Sequence, residues 1–161
     1  MRSSLPAYRQ QIVWREDILQ KDNRTPSEQI AADVGLSATA VQRRMRRLRE
    51  QGVIVQDVSV IAPDAVGRKL TLIVEVTLSK GPAYGLDGFK RSVKAIPEVS
   101  QCYHVTGRAD FVLIITARDM EDYEAFTRRF FVDNPNVARF ETSVVVQPVK
   151  VGLALPLGTE E

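Results

Sequence analysis

The sequence predicts an α+β protein: a helix-turn-helix unit in residues 1–60, closed by a linker strand, and a ferredoxin-like βαββαβ unit in residues 61–161. Three observations predict it. The apolar period changes from about 3.6 to two after Gly52. Two short helical patterns flank a tight "VGLS" turn. The second half then runs strand, helix, strand, strand, helix, strand.

In the first half, residues 8–21 carry a helical pattern with Ile12, Val13, Trp14, Ile18 and Leu19, interrupted by Arg15 and Glu16. Trp14, the only tryptophan, reads as a core or interface anchor. "TPSEQIAADVG" reads as a capping box with Thr25 as cap, Pro26 at the first helical position and Glu28 three residues after the cap. Ile30, Ala31 and Val34 follow at helical spacing, and Gly35 ends the helix because it takes a positive φ cheaply. Ser37 is placed to cap the next helix, which runs to about Gln51 and stops at Gly52. "VIVQDVSVI" then reads as a strand.

In the second half, "KLTLIVEVTLS" puts Leu70, Leu72, Val74, Val76 and Leu78 on one strand face. Leu86, Phe89, Val93 and Ile96 make a helical stripe before Pro97. "VSQCYHVTG" and "DFVLIITAR" are strands separated by "GRA", a hairpin. Asp119 and Asp122 open a helix carrying Met120, Tyr123, Phe126 and Phe130. "NPNV" ends it, and "ARFETSVVVQPV" is the last strand. Two helices cover one sheet face. Ile73, Val112, Ile114 and Val145 mark the other as too apolar to stay wet, which a self-complementary dimer answers.

Composition excludes several classes. No apolar run approaches the roughly 20 residues of a membrane span. The stretch "MRSSLPAYRQQ" lacks the apolar core of a secretion signal. A single cysteine, Cys102, permits no internal disulfide and fits a reducing, cytoplasmic setting. One cysteine and one histidine, His104, are too few for a zinc site. No nucleophile with a base, metal set or phosphate-cradling loop stands out, so an enzyme is not expected. No metal or cofactor is expected either.

Charge is placed unevenly. Residues 1–60 hold ten basic and seven acidic side chains, against twelve and thirteen in residues 61–161. Residues 37–51 alone hold five arginines and one glutamate, a local positive field of the kind that steers a protein toward phosphate. At about 100° per residue, Val41, Met45 and Leu48 form one stripe, and Thr39, Arg43 and Arg46 lie near the opposite pole. Gln42 and Arg47 flank that pole. Arg44 sits beside the apolar stripe, within reach of Asp33, Glu28 or a phosphate. A solvated helix face usually mixes signs in i,i+4 pairs, and this one does not. Arginine's planar fork matches phosphate and the guanine edge. The second helix of a helix-turn-helix is the one that enters the major groove. Double-stranded DNA is therefore the expected partner, with Ser37, Thr39, Gln42, Arg43, Arg44, Arg46 and Arg47 as the contact set.

The run "DNRTPSEQIAADVGLSATAVQRRMRRLREQGVI", followed by "IPEVSQCYHVTGRADFVL" and "NPNVARFETSVVV", resembles the Lrp/AsnC (feast/famine) transcription regulators over roughly residues 18–152. The resemblance implies a winged or plain helix-turn-helix and a C-terminal effector domain that dimerises through its sheet. It also implies homodimers that assemble further, and an amino acid or related small metabolite bound between protomers near a "G-x-x-D" turn. Here those turn positions are Gly107 and Asp110, with Thr106 and Arg108 beside them and Thr142 on the last strand. Gly107 serves equally as a hairpin residue tolerant of positive φ. Asp110 is either a turn acid or the partner of an effector ammonium. Arg108 either takes an effector carboxylate or pairs with Asp110. The expected function is a sequence-specific, metabolite-modulated transcriptional regulator. The rival is an architectural or metabolite-sensing DNA-associated assembly without strong sequence preference.

Overall fold

The computed structural model describes residues 18–79 and 84–156. The expected first helix lies outside them, Trp14 included, except that residues 18–21 are helical. The chain divides into two compact units. One contains the residues up to Ser59 together with the tail from Lys150, and the other spans Val60–Val149. The tail therefore does not group with the rest of residues 61–161. Its tie is local: Gln20 Nε2 donates to the Leu155 carbonyl at 3.2 Å, and Leu155 N–H donates to Gln20 Oε1 at 2.6 Å.

In the first unit, α1 (Ser27–Val34) and α2 (Ala38–Glu50) form the helix-turn-helix. Gly35 closes α1 at φ 64°, a conformation that costs glycine little, and its N–H returns to the Ala31 carbonyl. Ser37 caps α2, accepting from Ala40 N–H at 3.2 Å. Ile30, Ala31 and Val41 are buried together, with Ile18, Leu19, Val34, Leu36, Ala38 and Met45 packed against them.

Two expectations here are corrected. The capping box does not form: α1 starts at Ser27 behind Pro26 and has no side-chain cap. The Thr25 hydroxyl instead donates to the Asp22 carbonyl at 2.8 Å, closing the preceding turn. The stretch 53–61 is not a strand but a bend followed by chain without regular structure. A strand needs a neighbouring strand for its backbone groups, and among the described residues none pairs with this segment; Val53 and Ile54 N–H return to the Leu48 carbonyl instead. Val55, Val58 and Val60 are exposed accordingly.

In the second unit, a short 3-10 turn (Pro63–Val66) leads to β1 (Leu70–Leu78), followed by α3 (Tyr84–Lys94), β2 (Val99–His104), β3 (Phe111–Ala117), α4 (Met120–Thr127) and β4 (Val137–Val144). The sheet order is β2-β3-β1-β4, all antiparallel, the split βαββαβ topology. Val74 pairs with Leu113 and Thr142, Val76 with Phe111 and Phe140. Leu72, Val74, Val76, Phe111, Leu113 and Ile115 are buried under the helices, against Phe89, Val93, Phe126 and Phe131. Met120 departs from its helix's apolar stripe and is exposed.

Asp119 caps α4, accepting from Asp122 N–H at 2.8 Å. The helix runs on into a π turn (Arg128–Val132) in which Phe130 and Phe131 are both buried. The sheet's second face carries Ile73 and Tyr103, exposed, with Val112, Ile114 and Val145 half-buried.

Candidate nucleic-acid interface and ligand turn

The buried stripe of α2 decides where its arginines stand. Val41 is 1% and Leu48 8% exposed, which locks one side of the helix inward. Thr39, Gln42, Arg43, Arg46 and Arg47 are exposed on the rest, and Arg44 is half-buried beside the stripe. Among the described residues, Arg43, Arg44, Arg46 and Arg47 form no ion pair or hydrogen bond with another side chain. Arg44 is thus paired with neither Asp33 nor Glu28. Four guanidiniums are left free on one 13-residue helix, an arrangement that repels itself unless an anion is bound.

The fifth arginine is spent. Arg49 Nε donates to Asp57 Oδ2 at 2.7 Å, and Nη2 to Oδ1 at 3.3 Å. This bond holds the Asp57 carboxyl below its ordinary range. Gln42 is also engaged: its Nε2 donates to Ser27 Oγ at 3.0 Å, tying α2 to the start of α1. The sequence reading missed both contacts, because each joins residues whose approach depends on how the chain turns, not on spacing along one helix.

The hairpin between β2 and β3 is held by its backbone. Val105 N–H donates to the Asp110 carbonyl at 3.0 Å, and Asp110 N–H to the Val76 carbonyl at 2.9 Å. Asp110 Oδ2 accepts from Leu78 N–H at 2.7 Å, so one carboxylate oxygen is spent tying the turn to β1. Gly107 sits at φ 133°, which L side chains rarely adopt. Thr106 is exposed beside it.

Arg108 does not pair with Asp110. It lines a shallow depression on the open sheet face with Glu75, Thr77, Ala109, Arg139 and Glu141. Arg139 is ion-paired with Glu141. Glu75 and Glu141 are direct cross-strand neighbours, so a cation between them is favoured. The period-two pattern of β1 already put Glu75 on this face; only the β1–β4 register brings Glu141 to it.

Thr142 is separated from this group. It pairs with Val74 on the helix-covered side, and its hydroxyl shares a 2.6 Å hydrogen bond with the Tyr123 hydroxyl. Burial pushes the Tyr123 phenol up. Cys102 and His104 share a face of β2, where burial raises the thiol and the imidazole lies 5.0 Å from the Phe111 ring. No cluster of metal-ligating side chains occurs among the described residues. No helix among them is long and apolar enough to cross a membrane.

A helix-turn-helix whose second helix carries four arginines unpaired among the described residues, on one chain with a βαββαβ unit, defines a DNA-binding regulator. Comparison with known proteins gives the family. The AsnC-type helix-turn-helix domain matches residues 17–49, and the Lrp/AsnC ligand binding domain matches residues 71–155. An HTH-type transcriptional regulator of Sinorhizobium fredii is 52% identical over 86% of this chain and 82% of its own length. The leucine-responsive regulatory protein of Escherichia coli is 31% identical over 88% and 86%. The crystal structure of a transcriptional regulator from Neisseria meningitidis in complex with L-Met superposes with a TM-score of 0.86, at 25% identity over 96% of this chain and 97% of that one. The chain belongs to the Lrp/AsnC family of transcriptional regulators.

Proposed function

We propose that this regulator reads DNA through α2, with Ser37, Thr39, Gln42 and Arg43 toward the base edges and Arg44, Arg46 and Arg47 toward phosphates. The observation that carries the reading is the set of four guanidiniums without an acidic partner among the described residues. A single small domain makes few phosphate contacts, so the reading includes a homodimer engaging two half-sites, and higher homo-oligomers of it. The exposed Ile73 and Tyr103 on the open sheet face support that face as the dimer contact.

The second unit senses an amino acid or related small metabolite at the Thr106–Asp110 turn, between protomers. The L-Met complex of the Neisseria relative supports the ligand class. Arg108 offers a cation for a carboxylate, and Asp110 an oxygen for an ammonium. Occupancy there alters dimer geometry and hence operator affinity. The setting is the cytoplasm, and no catalytic step is involved.

The test is salt-dependent binding of Arg43→Ala and Arg46→Ala to a promoter-region duplex. Losing a phosphate contact flattens the slope of log K against log salt by about 0.9. Both variants binding like the parent overturns the assignment of α2. A thermal-shift screen of the twenty amino acids, methionine first, tests the second unit, since a ligand bound only to the native state raises apparent stability. No shift with any of them overturns the effector reading.

A further inference from the structure

Gln42 is a member of the α2 contact set that a side chain on the other helix holds in place. Its Nε2 donates to Ser27 Oγ at 3.0 Å. Ser27 is the first residue of α1, yet its hydroxyl does not cap that helix. Its own proton is directed to Glu28 Oε2 at 3.4 Å. The hydroxyl therefore turns a lone pair toward Gln42, which settles which end of the amide is nitrogen.

An amide nitrogen carries two N–H groups. Ser27 takes one. The second N–H and Oε1, which meet no other described residue, remain in one plane as a donor and an acceptor. Among the bases, adenine presents the complementary pair in the major groove: N7 accepts and N6–H donates. Guanine presents two acceptors at N7 and O6, which a freely rotating amide can meet with both of its N–H groups. Fixing one N–H on Ser27 removes that option. It also reduces the rotamer freedom that Gln42 would lose on binding.

We propose that Gln42 reads an adenine and that Ser27 is its positioning residue, favouring adenine over guanine at one base pair of each half-site. This deepens the reading of α2 as the groove-entering helix and rests on it. The full-length protein and its variants are to be used to select sites from a random-sequence duplex pool, with affinities then measured on the selected site and on its adenine-to-guanine counterpart. The wild type should select a fixed adenine at one position per half-site. Gln42→Ala should relax that position alone, by about tenfold or more. Ser27→Ala should narrow the adenine-to-guanine ratio there by roughly fivefold, leave the salt slope unchanged, and be rescued by Ser27→Thr.

If Ser27→Ala weakens all sequences equally, its role is structural and the proposal is overturned. Gln42→Ala selecting the wild-type motif overturns it as well. In both cases a loss of binding in Arg43→Ala and Arg46→Ala shows that α2 still enters the groove and that only this inference has failed. If those arginine variants also bind like the parent, the failure belongs to the α2 reading itself.

Discussion

Arg49 and Asp57 form a two-point pair, 2.7 and 3.3 Å, between the end of α2 and the chain that leaves it. It withdraws one charge from a run of five and orients the connector with it. Both side chains are about 40% exposed, so the pair contributes at most about 1 kcal/mol to stability. Asp57→Ala is expected to leave the melting temperature nearly unchanged while freeing a fifth guanidinium. DNA affinity should rise at low salt, with a slope steeper by up to about 0.9. Titrations at several salt concentrations check this.

Asp122 is the charge centre of the second unit. Arg118 donates to it from Nε, Nη2 and its backbone N–H, and Arg68 Nη1 adds a bond at 3.2 Å. Hydrogen bonds from Arg118 foremost, with Arg68 adding to them, pull its carboxyl down to about 2. A carboxyl lowered on folding stabilises the fold above its unfolded value near 4, and the gain is lost as pH falls through about 2. Asp122→Asn should therefore unfold more easily than the parent at pH 6, and the gap should close between pH 4 and pH 2. Urea titrations across that range test it. A gap independent of pH would show that the pair's charge is immaterial.

Phe131 joins three other rings: it meets Phe130 and Phe126 edge-on and stacks on Phe140 at 4.8 Å. It is 1% exposed. Phe131→Ala should cost about 3–5 kcal/mol, the usual penalty for a cavity of that size. Denaturant unfolding followed by circular dichroism measures the loss.

Asp110 offers a way to separate turn chemistry from ligand chemistry. Asp110→Asn keeps a side-chain oxygen for Leu78 N–H and should fold normally, within about 1 kcal/mol of the parent. If the carboxylate meets an effector ammonium, the amino-acid thermal shift should fall at least tenfold in apparent affinity. Asp110→Ala leaves the part-buried Leu78 N–H unpaired and should cost about 1–3 kcal/mol.

Much of this fold was readable in the residues because its signals are local. Period-two alternation from Leu70 to Leu78 specifies a half-buried strand, and Gly35 and Ser37 punctuate two short helices wherever they sit. The readings that failed depended on competition. Thr25 had the spacing of a cap, but the Asp22 carbonyl takes its hydroxyl. Residues 53–61 read as a strand but have no strand to pair with among the described residues. The surroundings of Thr142 were not legible either, since the register of β4 sets it opposite Val74 with its hydroxyl on Tyr123. The arginine face of α2 was legible because the apolar stripe beside it fixes its direction. The contacts of Gln42 and Arg49 were not, since each is made to a residue on another segment.

The π turn at Arg128–Val132 lets two adjacent rings, Phe130 and Phe131, enter the same interior. In a regular helix consecutive side chains diverge by about 100°, and the wider π turn narrows that angle, so the two rings enter the interior side by side. The extra residue in the turn is thus a built-in wedge of sequence length. Shortening this segment by one residue should restore an ordinary winding and rotate one end of the segment by about 100° against the other, a greater injury than most single replacements there.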